Sequence, residues 1–162
     1  MSRRTLLTAA IVVAAAGGAT AIGRATDTLD DVLRGLGAQP HPEPDPGDVK
    51  RVARAARDQA VLVATLSALA EAHRGASAQV KPLIAVAGTQ LEAVGGSTAN
   101  VDVAAPDGDR STATTAVARL AARSARAREQ DAISAASPDV ARLLASMAGG
   151  LAQLARTLRL SA

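Results

Sequence analysis

Ser137-Pro-Asp-Val-Ala-Arg-Leu-Leu-Ala-Ser-Met-Ala-Gly-Gly-Leu-Ala-Gln-Leu-Ala-Arg-Thr-Leu158 carries the clearest helical signature in the chain. Ser137 suits an N-cap, Pro138 the first helical position and Asp139 the positive end of the helix dipole. Val140, Leu143, Leu144, Met147, Leu151, Leu154 and Leu158 then recur at helical spacing and form one apolar stripe, weakened locally by Gly149-Gly150. A stripe of this width is stable only when other helices cover it.

Three further helices are predicted upstream. The first runs from Val49 to about Arg74 behind an Asp48 cap, with Val52, Ala56, Val63, Leu66 and Ala70 on one stripe and Leu62 and Leu69 beside it. Its polar face holds Lys50, Arg51, Arg54, Arg57 and Asp58. After a break at Gly75-Ala76-Ser77, a second helix from Ala78 to Val94 buries Val80, Leu83, Ile84, Ala87, Leu91 and Val94; Pro82 falls in its first turns and Gly95-Gly96 ends it. Residues 96–110 read as a crossover loop with only Val101 and Val103 as apolar alternates. The third helix, Thr112 to Ala136, has Val117, Leu120 and Ile133 as its large apolar residues and leaves the remaining packing to alanine. The expected fold is therefore all-α, a four-helix bundle with short, long and short connections; that sequence of connections is the ferritin-like order, with a simple up-down bundle as the alternative.

Composition sharpens this. Of 162 residues 41 are alanine, and cysteine, tryptophan, tyrosine and phenylalanine are absent. Disulfides, thiolate metal sites and aromatic platforms for bases or sugars are thereby excluded. Alanine has the highest helix propensity and lets helices approach closely. Sixteen arginines and two lysines face 15 acids, for a net charge of +3, too close to balance for a nucleic-acid footprint. The charge is nevertheless sorted: residues 27–48 hold six acids against Arg34, whereas residues 111–162 hold seven arginines against Glu129, Asp131 and Asp139.

Residues 1–21 have the layout of a secretory signal peptide: Arg3-Arg4, an apolar run from Leu6 to Ala16, and Ala19-Thr20-Ala21 as an A-x-A cleavage site before Ile22. Ser2-Arg3-Arg4-Thr5-Leu6-Leu7 also fits a twin-arginine export motif, with ordinary Sec export as the alternative. An uncleaved anchor over Leu6–Ile22 is the competing reading, at the short limit of a membrane span. An exported protein of the cell envelope, or a secreted one, is expected. Residues 22–47 contain a short amphipathic turn with Leu29, Val32, Leu33 and Leu36 at helical spacing, then Gln39-Pro-His-Pro-Glu-Pro-Asp-Pro-Gly47, a stiff polyproline II spacer that also exposes His41. The bundle takes residues 48–162.

Ala64 to Gly95, with Leu66, Leu69, His73, Val80-Lys-Pro-Leu83 and Gln90-Leu-Glu-Ala-Val94, resembles the first hairpin of the ferritin-like domain of unknown function found in exported actinobacterial proteins. Leu120-Ala-Ala122 followed by Ser137 to Ala148 is similar to that domain's closing segment, so the resemblance spans roughly Asp48 to Leu160. Within the wider ferritin-like superfamily it implies a carboxylate-bridged di-metal centre built with Glu-x-x-His motifs. No Glu-x-x-His occurs in this chain. His73 follows Glu71 by two residues, which places the pair about 200° apart around a helix, on different faces. His73 is expected as a capping or half-buried residue, Glu71 as solvated, and Glu92, Glu129 and Asp131 as surface ion-pair partners. No metal ligand, catalytic residue or cofactor is expected. An unorthodox metal set from Glu71, His73, Glu92, Glu129 and Asp131 stands as the alternative.

Nucleophilic chemistry finds no Cys and no G-x-S-x-G elbow, and neither Gly95-Gly96 nor Gly149-Gly150 is followed by the Lys-Ser/Thr of a phosphate loop. Arg119, Arg123 and Arg126 lie on neighbouring helical turns; they read either as a solvated face or as contacts to an anionic surface such as lipid headgroups or an envelope polymer. The expected function is a non-enzymatic binding or structural module of the cell envelope whose partner is an envelope protein or a second copy. A metal-binding oxidase or storage bundle and an anionic-surface binder are the alternatives.

Overall fold

The structure, a computed structural model, describes residues 44–162. The leader residues Arg3, Arg4, Ala19 and Ala21, the amphipathic turn and most of the proline spacer lie outside the described residues. Among those described the chain is all-α: α1 (Pro46–Ala72), a single 3-10 turn (Arg74–Ala76), α2 (Ser77–Ala93), α3 (Arg110–Ile133) and α4 (Pro138–Ser161). No helix among them is long and apolar enough to cross a membrane.

The expected helices are all present, with shifted ends. α1 begins at Pro46, inside the stretch assigned to the spacer, because Asp45 rather than Asp48 is its cap: Asp45 Oδ1 accepts the Asp48 N–H at 3.0 Å, and Pro46 needs no partner at the first helical position. Asp48 is released for another task, described below. α2 ends as expected. Gly95 takes φ 68° and donates to the Glu92 carbonyl, while Gly96 donates to Leu91 at 2.9 Å, a Schellman arrangement that only glycine enters without strain. α3 starts two residues earlier than expected because Asp109 caps it by accepting the Thr112 N–H at 2.7 Å, and it stops at Ile133 instead of Ala136. Residues 97–109 contain no strand.

Contacts fix the directions. The N-terminal end of α1 meets the α3–α4 junction and its C-terminal end faces the start of α3, since Asp48 bonds Ala136 and Ser137 while Arg110 lies beside Gly75. α1 and α3 are thus antiparallel. α2 folds back along α1, so the chain leaves α2 at one end of the bundle and enters α3 at the other. The connecting loop travels the length of α1 and packs Val101 against the core. The most extensive helix pairing is α3 with α4, followed by α1 with α2 and α1 with α3.

Alanine sets the spacing. Ala113, Ala118 and Ala121 of α3 are fully buried beside Val117, and Leu151, Leu154 and Leu158 of α4 fill the interior together with Leu62, Leu66 and Leu69 of α1. Each buried leucine contributes roughly 2 kcal/mol by leaving water. A second cluster of Ala55, Val94, Leu144 and Met147 closes the end where α1 begins. The buried face of α1 is rotated slightly from its expected position: Ala55, Gln59, Leu62, Leu66 and Leu69 form its centre, and Val52, Ala56 and Ala70 lie at its margin. Gln59 Nε2 donates to the Ala87 carbonyl at 2.9 Å and to Gln90 Oε1 at 3.2 Å, joining α1 to α2.

The Gly149-Gly150 pair divides into two roles. A Cβ on Gly150 would collide with the Gln90 amide, whereas one on Gly149 meets nothing within 4 Å among the described residues. Gly149→Ala is expected to raise stability by about 0.5–1 kcal/mol through helix propensity. Gly150→Ala gains less or loses, because Gln90 must swing away from Gln59. Urea titrations followed by circular dichroism measure both; equal gains at the two positions would contradict this account.

Candidate functional site

Two polar clusters lie between α1 and the α3–α4 hairpin. The first is centred on Arg128, which falls on the Ala118, Ala121, Ala125 stripe of α3 and is 1% exposed. Its Nη2 donates to Asp58 Oδ2 of α1 at 3.0 Å and stands 2.9 Å from Asp131 Oδ2 of its own helix. The contact with Asp131 lacks hydrogen-bond alignment, and among the described residues neither Asp131 Oδ2 nor Arg128 Nε has a hydrogen-bond partner. Asp131 Oδ1 accepts from Arg54 of α1, whose side chain is half exposed. Two arginines and two aspartates thus alternate across the α1–α3 seam. Asp131 is buried here, not the surface partner expected from sequence, because its own helix turns it toward α1.

The second cluster is Asp48, 3% exposed in the first turn of α1. Its carboxylate accepts the Ser137 N–H at 2.7 Å, the Ala136 N–H at 3.1 Å and Arg51 Nη1 at 3.0 Å. Ser137 occupies the N-cap position of α4 as expected, but its hydroxyl makes no capping bond. Asp48 of α1 supplies the anion at that helix start instead, joining the first helix to the last. The Ser137 amide holds the Asp48 carboxyl below its ordinary value of 3.8; burial opposes this, while the Ala136 amide and Arg51 add to the lowering. Asp109 is lowered for related reasons, first the Thr112 amide and then its hydroxyl, with a smaller contribution from His73.

The residues singled out for chemistry do not converge. His73 is the half-buried C-cap residue of α1, its backbone N–H donating to the Leu69 carbonyl. Glu71 is exposed at that same end, Glu92 is exposed at the far end of α2, Glu129 is exposed on the outer face of α3, and Asp131 is held between two arginines. Among the described residues no three His, Asp or Glu side chains come together. The set does not fit a carboxylate-bridged metal centre, for the additional reason that a buried guanidinium stands where an interior cation would have to compete with it.

Arg119, Arg123 and Arg126 are all exposed along α3, and none pairs with a carboxylate among the described residues. Arg126 also borders a feature that sequence reasoning missed, an open groove of about 590 Å³ along the outer α3–α4 seam. Its floor is alanine with Gly149, and Arg126, Glu129, Ile133 and Arg159 stand at its edges. A smaller groove of about 430 Å³ lies between α1 and the loop, beside Arg57 and Asp102. Gln59 escaped notice in sequence although a signal was present, since it is a polar residue in phase with the Leu62, Leu66, Leu69 stripe; Arg128 is in phase only with alanines, which mark a buried face weakly.

Comparison with known proteins adds no neighbour: no family model, curated protein or solved structure matches the chain.

Arg128→Met leaves the buried Asp131 with only the half-exposed Arg54 as counter-ion and is expected to cost about 2–3 kcal/mol, less than a wholly unpaired buried charge would. Adding Asp131→Leu should recover most of that loss, a non-additivity that a thermal-unfolding double-mutant cycle reads directly. For Asp48 the sign follows from its lowered folded-state value. Its contribution is complete above the unfolded-state value near 3.8 and is lost as pH falls through the lower folded-state value. Asp48→Asn should therefore be less stable than wild type at neutral pH, and the gap should narrow only below about pH 4. Urea midpoints measured across the acid range test this; a gap that closes at higher pH contradicts it.

Proposed function

We propose that the chain is an exported bundle of ferritin-like order without a metal centre, acting as a non-catalytic binding or structural module of the cell envelope. The observation that carries this reading is the buried Arg128 between Asp58 and Asp131. Bundles of this class place inward carboxylates around metal ions; here the one buried carboxylate of the cluster, Asp131, stands beside the chain's own Arg128. The ferritin-like order is supported by the long loop that brings the chain from the end of α2 to the opposite end of the bundle before α3 begins. Export is supported by the leader pattern of Arg3, Arg4, Ala19 and Ala21. The partner in this reading is another envelope protein or a second copy, not nucleic acid.

A second reading is favoured by the exposed row Arg119, Arg123 and Arg126, which spans about 10 Å of helix. It suits an anionic surface, lipid headgroups or an envelope polymer, and it predicts salt-sensitive binding to anionic vesicles that Arg123→Ala with Arg126→Ala weakens.

Elemental mass spectrometry of protein purified without chelators tests the leading reading, with concentration taken from peptide-bond absorbance because the chain has no aromatic side chains. The expected result is iron and manganese far below one ion per chain. Stoichiometric metal would overturn the reading.

A further inference from the structure

Four residues of α3, Ala122, Arg126, Glu129 and Ile133, fall within about 60° of arc on one side of the helix. All four line the open α3–α4 groove. Arg126, Glu129 and Ile133 are exposed, Ile133 at 73%. Arg126 and Glu129 are three apart, close enough to pair along the helix, yet neither takes part in an ion pair among the described residues. The other wall of the groove, on α4, offers only alanine and glycine from Ala145 to Ala155, and the space above Gly149 is free to 4 Å among the described residues. Counted in equal rises from the α3–α4 turn, Gly149 stands level with Ala122.

The order of these residues is self-complementary. Reversing α3 about the point midway between Ala127 and Arg128 exchanges Arg126 with Glu129 and Ala122 with Ile133. A second α3 laid antiparallel with that centre therefore sets each guanidinium opposite a carboxylate and each isoleucine opposite an alanine. Arg123 comes opposite Ala132, and Arg119 opposite Ala136, so no arginine of the exposed row meets another head-on. An acidic partner would match the arginines and leave Glu129 and Ile133 unmatched. A second copy matches all of them.

We propose that this face is a homodimer interface in which α3 of a second copy lies in the α3–α4 groove, antiparallel to α3, about a two-fold axis at the level of residues 127–128. Two Arg126–Glu129 pairs form across the axis, and Ile133 of each copy enters the hollow beside Ala122 and Gly149 of the other. The alanines let the helices approach closely enough for this, since interaxial distance follows side-chain size. The contact is isologous and closes at two copies. It engages about 17 Å of α3 and the facing part of α4, a small face by the standard of specific interfaces, which sets the association in the micromolar range. The dimer supplies the partner of the non-catalytic binding module proposed above and rests on that reading for its role, not for its geometry.

Sedimentation velocity of the full chain across the micromolar range tests this, detected by refractive index because aromatic absorbance is absent. The wild type should form dimers whose fraction rises with concentration. Arg126→Glu gathers four carboxylates at the axis and Glu129→Arg four guanidinium groups, and each should raise the dissociation constant roughly tenfold or more. The double variant, Arg126→Glu with Glu129→Arg, re-forms the pairs with the charges exchanged and should return to within about threefold of wild type. Ile133→Ser leaves the charges untouched and should weaken the dimer independently. All three positions are exposed, so each variant should keep the wild-type helical circular dichroism. A wild type that stays monomeric throughout, single reversals that leave association unchanged, or a double variant no tighter than the singles would overturn the proposal. None of these outcomes alters the metal content, so failure of the dimer and failure of the non-catalytic reading are read separately.

Discussion

Arg128 constrains the whole assembly. A guanidinium with 1% exposure cannot be left unpaired in an alanine-lined interior, so α1 must lie where Asp58 can reach it, and α3 must turn Asp131 toward the same seam. Arg54 then closes the circuit from the other side of Asp131. Hydrophobic burial alone would tolerate a slide of one helix along another by a turn, because one alanine looks like the next. The charged seam removes that freedom and fixes the antiparallel register of α1 on α3.

Asp48 does comparable work at the end of the bundle. By accepting the amides of Ala136 and Ser137, it places the start of α1 against the turn between α3 and α4. Helices remote in sequence are thereby held by one carboxylate, which also serves as the anion at the start of α4. Between these two polar ties, the interior is filled by leucines from α1 and α4 against the small side chains of α3. The Gln59–Gln90 pair ties α2 to α1 near Gly150, where only a hydrogen leaves room.

Economy of side-chain volume has a consequence outside the core. Helices built from alanine approach closely on the inside and leave a shallow, small-residue groove on the outside, where larger side chains would have filled the seam. The α3–α4 groove with its exposed Ile133 follows from the same composition that makes the interior close-packed. Arg126 and Arg159 stand at its two edges.

The sequence by itself determined four helices, their approximate limits and most of the large apolar residues that face inward, with Ile133 of α3, 73% exposed, the exception, because these depend on local propensity, capping and a 3.6-residue period. Leu62, Leu66, Leu69, Val80, Leu91, Leu144, Leu151 and Leu158 are buried as their spacing requires. Only the tertiary structure decided the fate of the polar residues. Whether Arg128 and Asp131 face water or each other, and whether Asp48 caps its own helix or α4, depends on which helix stands opposite, and that is a relation between residues some 70 to 90 positions apart. An alanine-rich stripe spreads its small side chains almost evenly around the helix. Its period therefore marks the buried direction of α3 too weakly to show in advance that Arg128 points inward and that a groove opens on the other side.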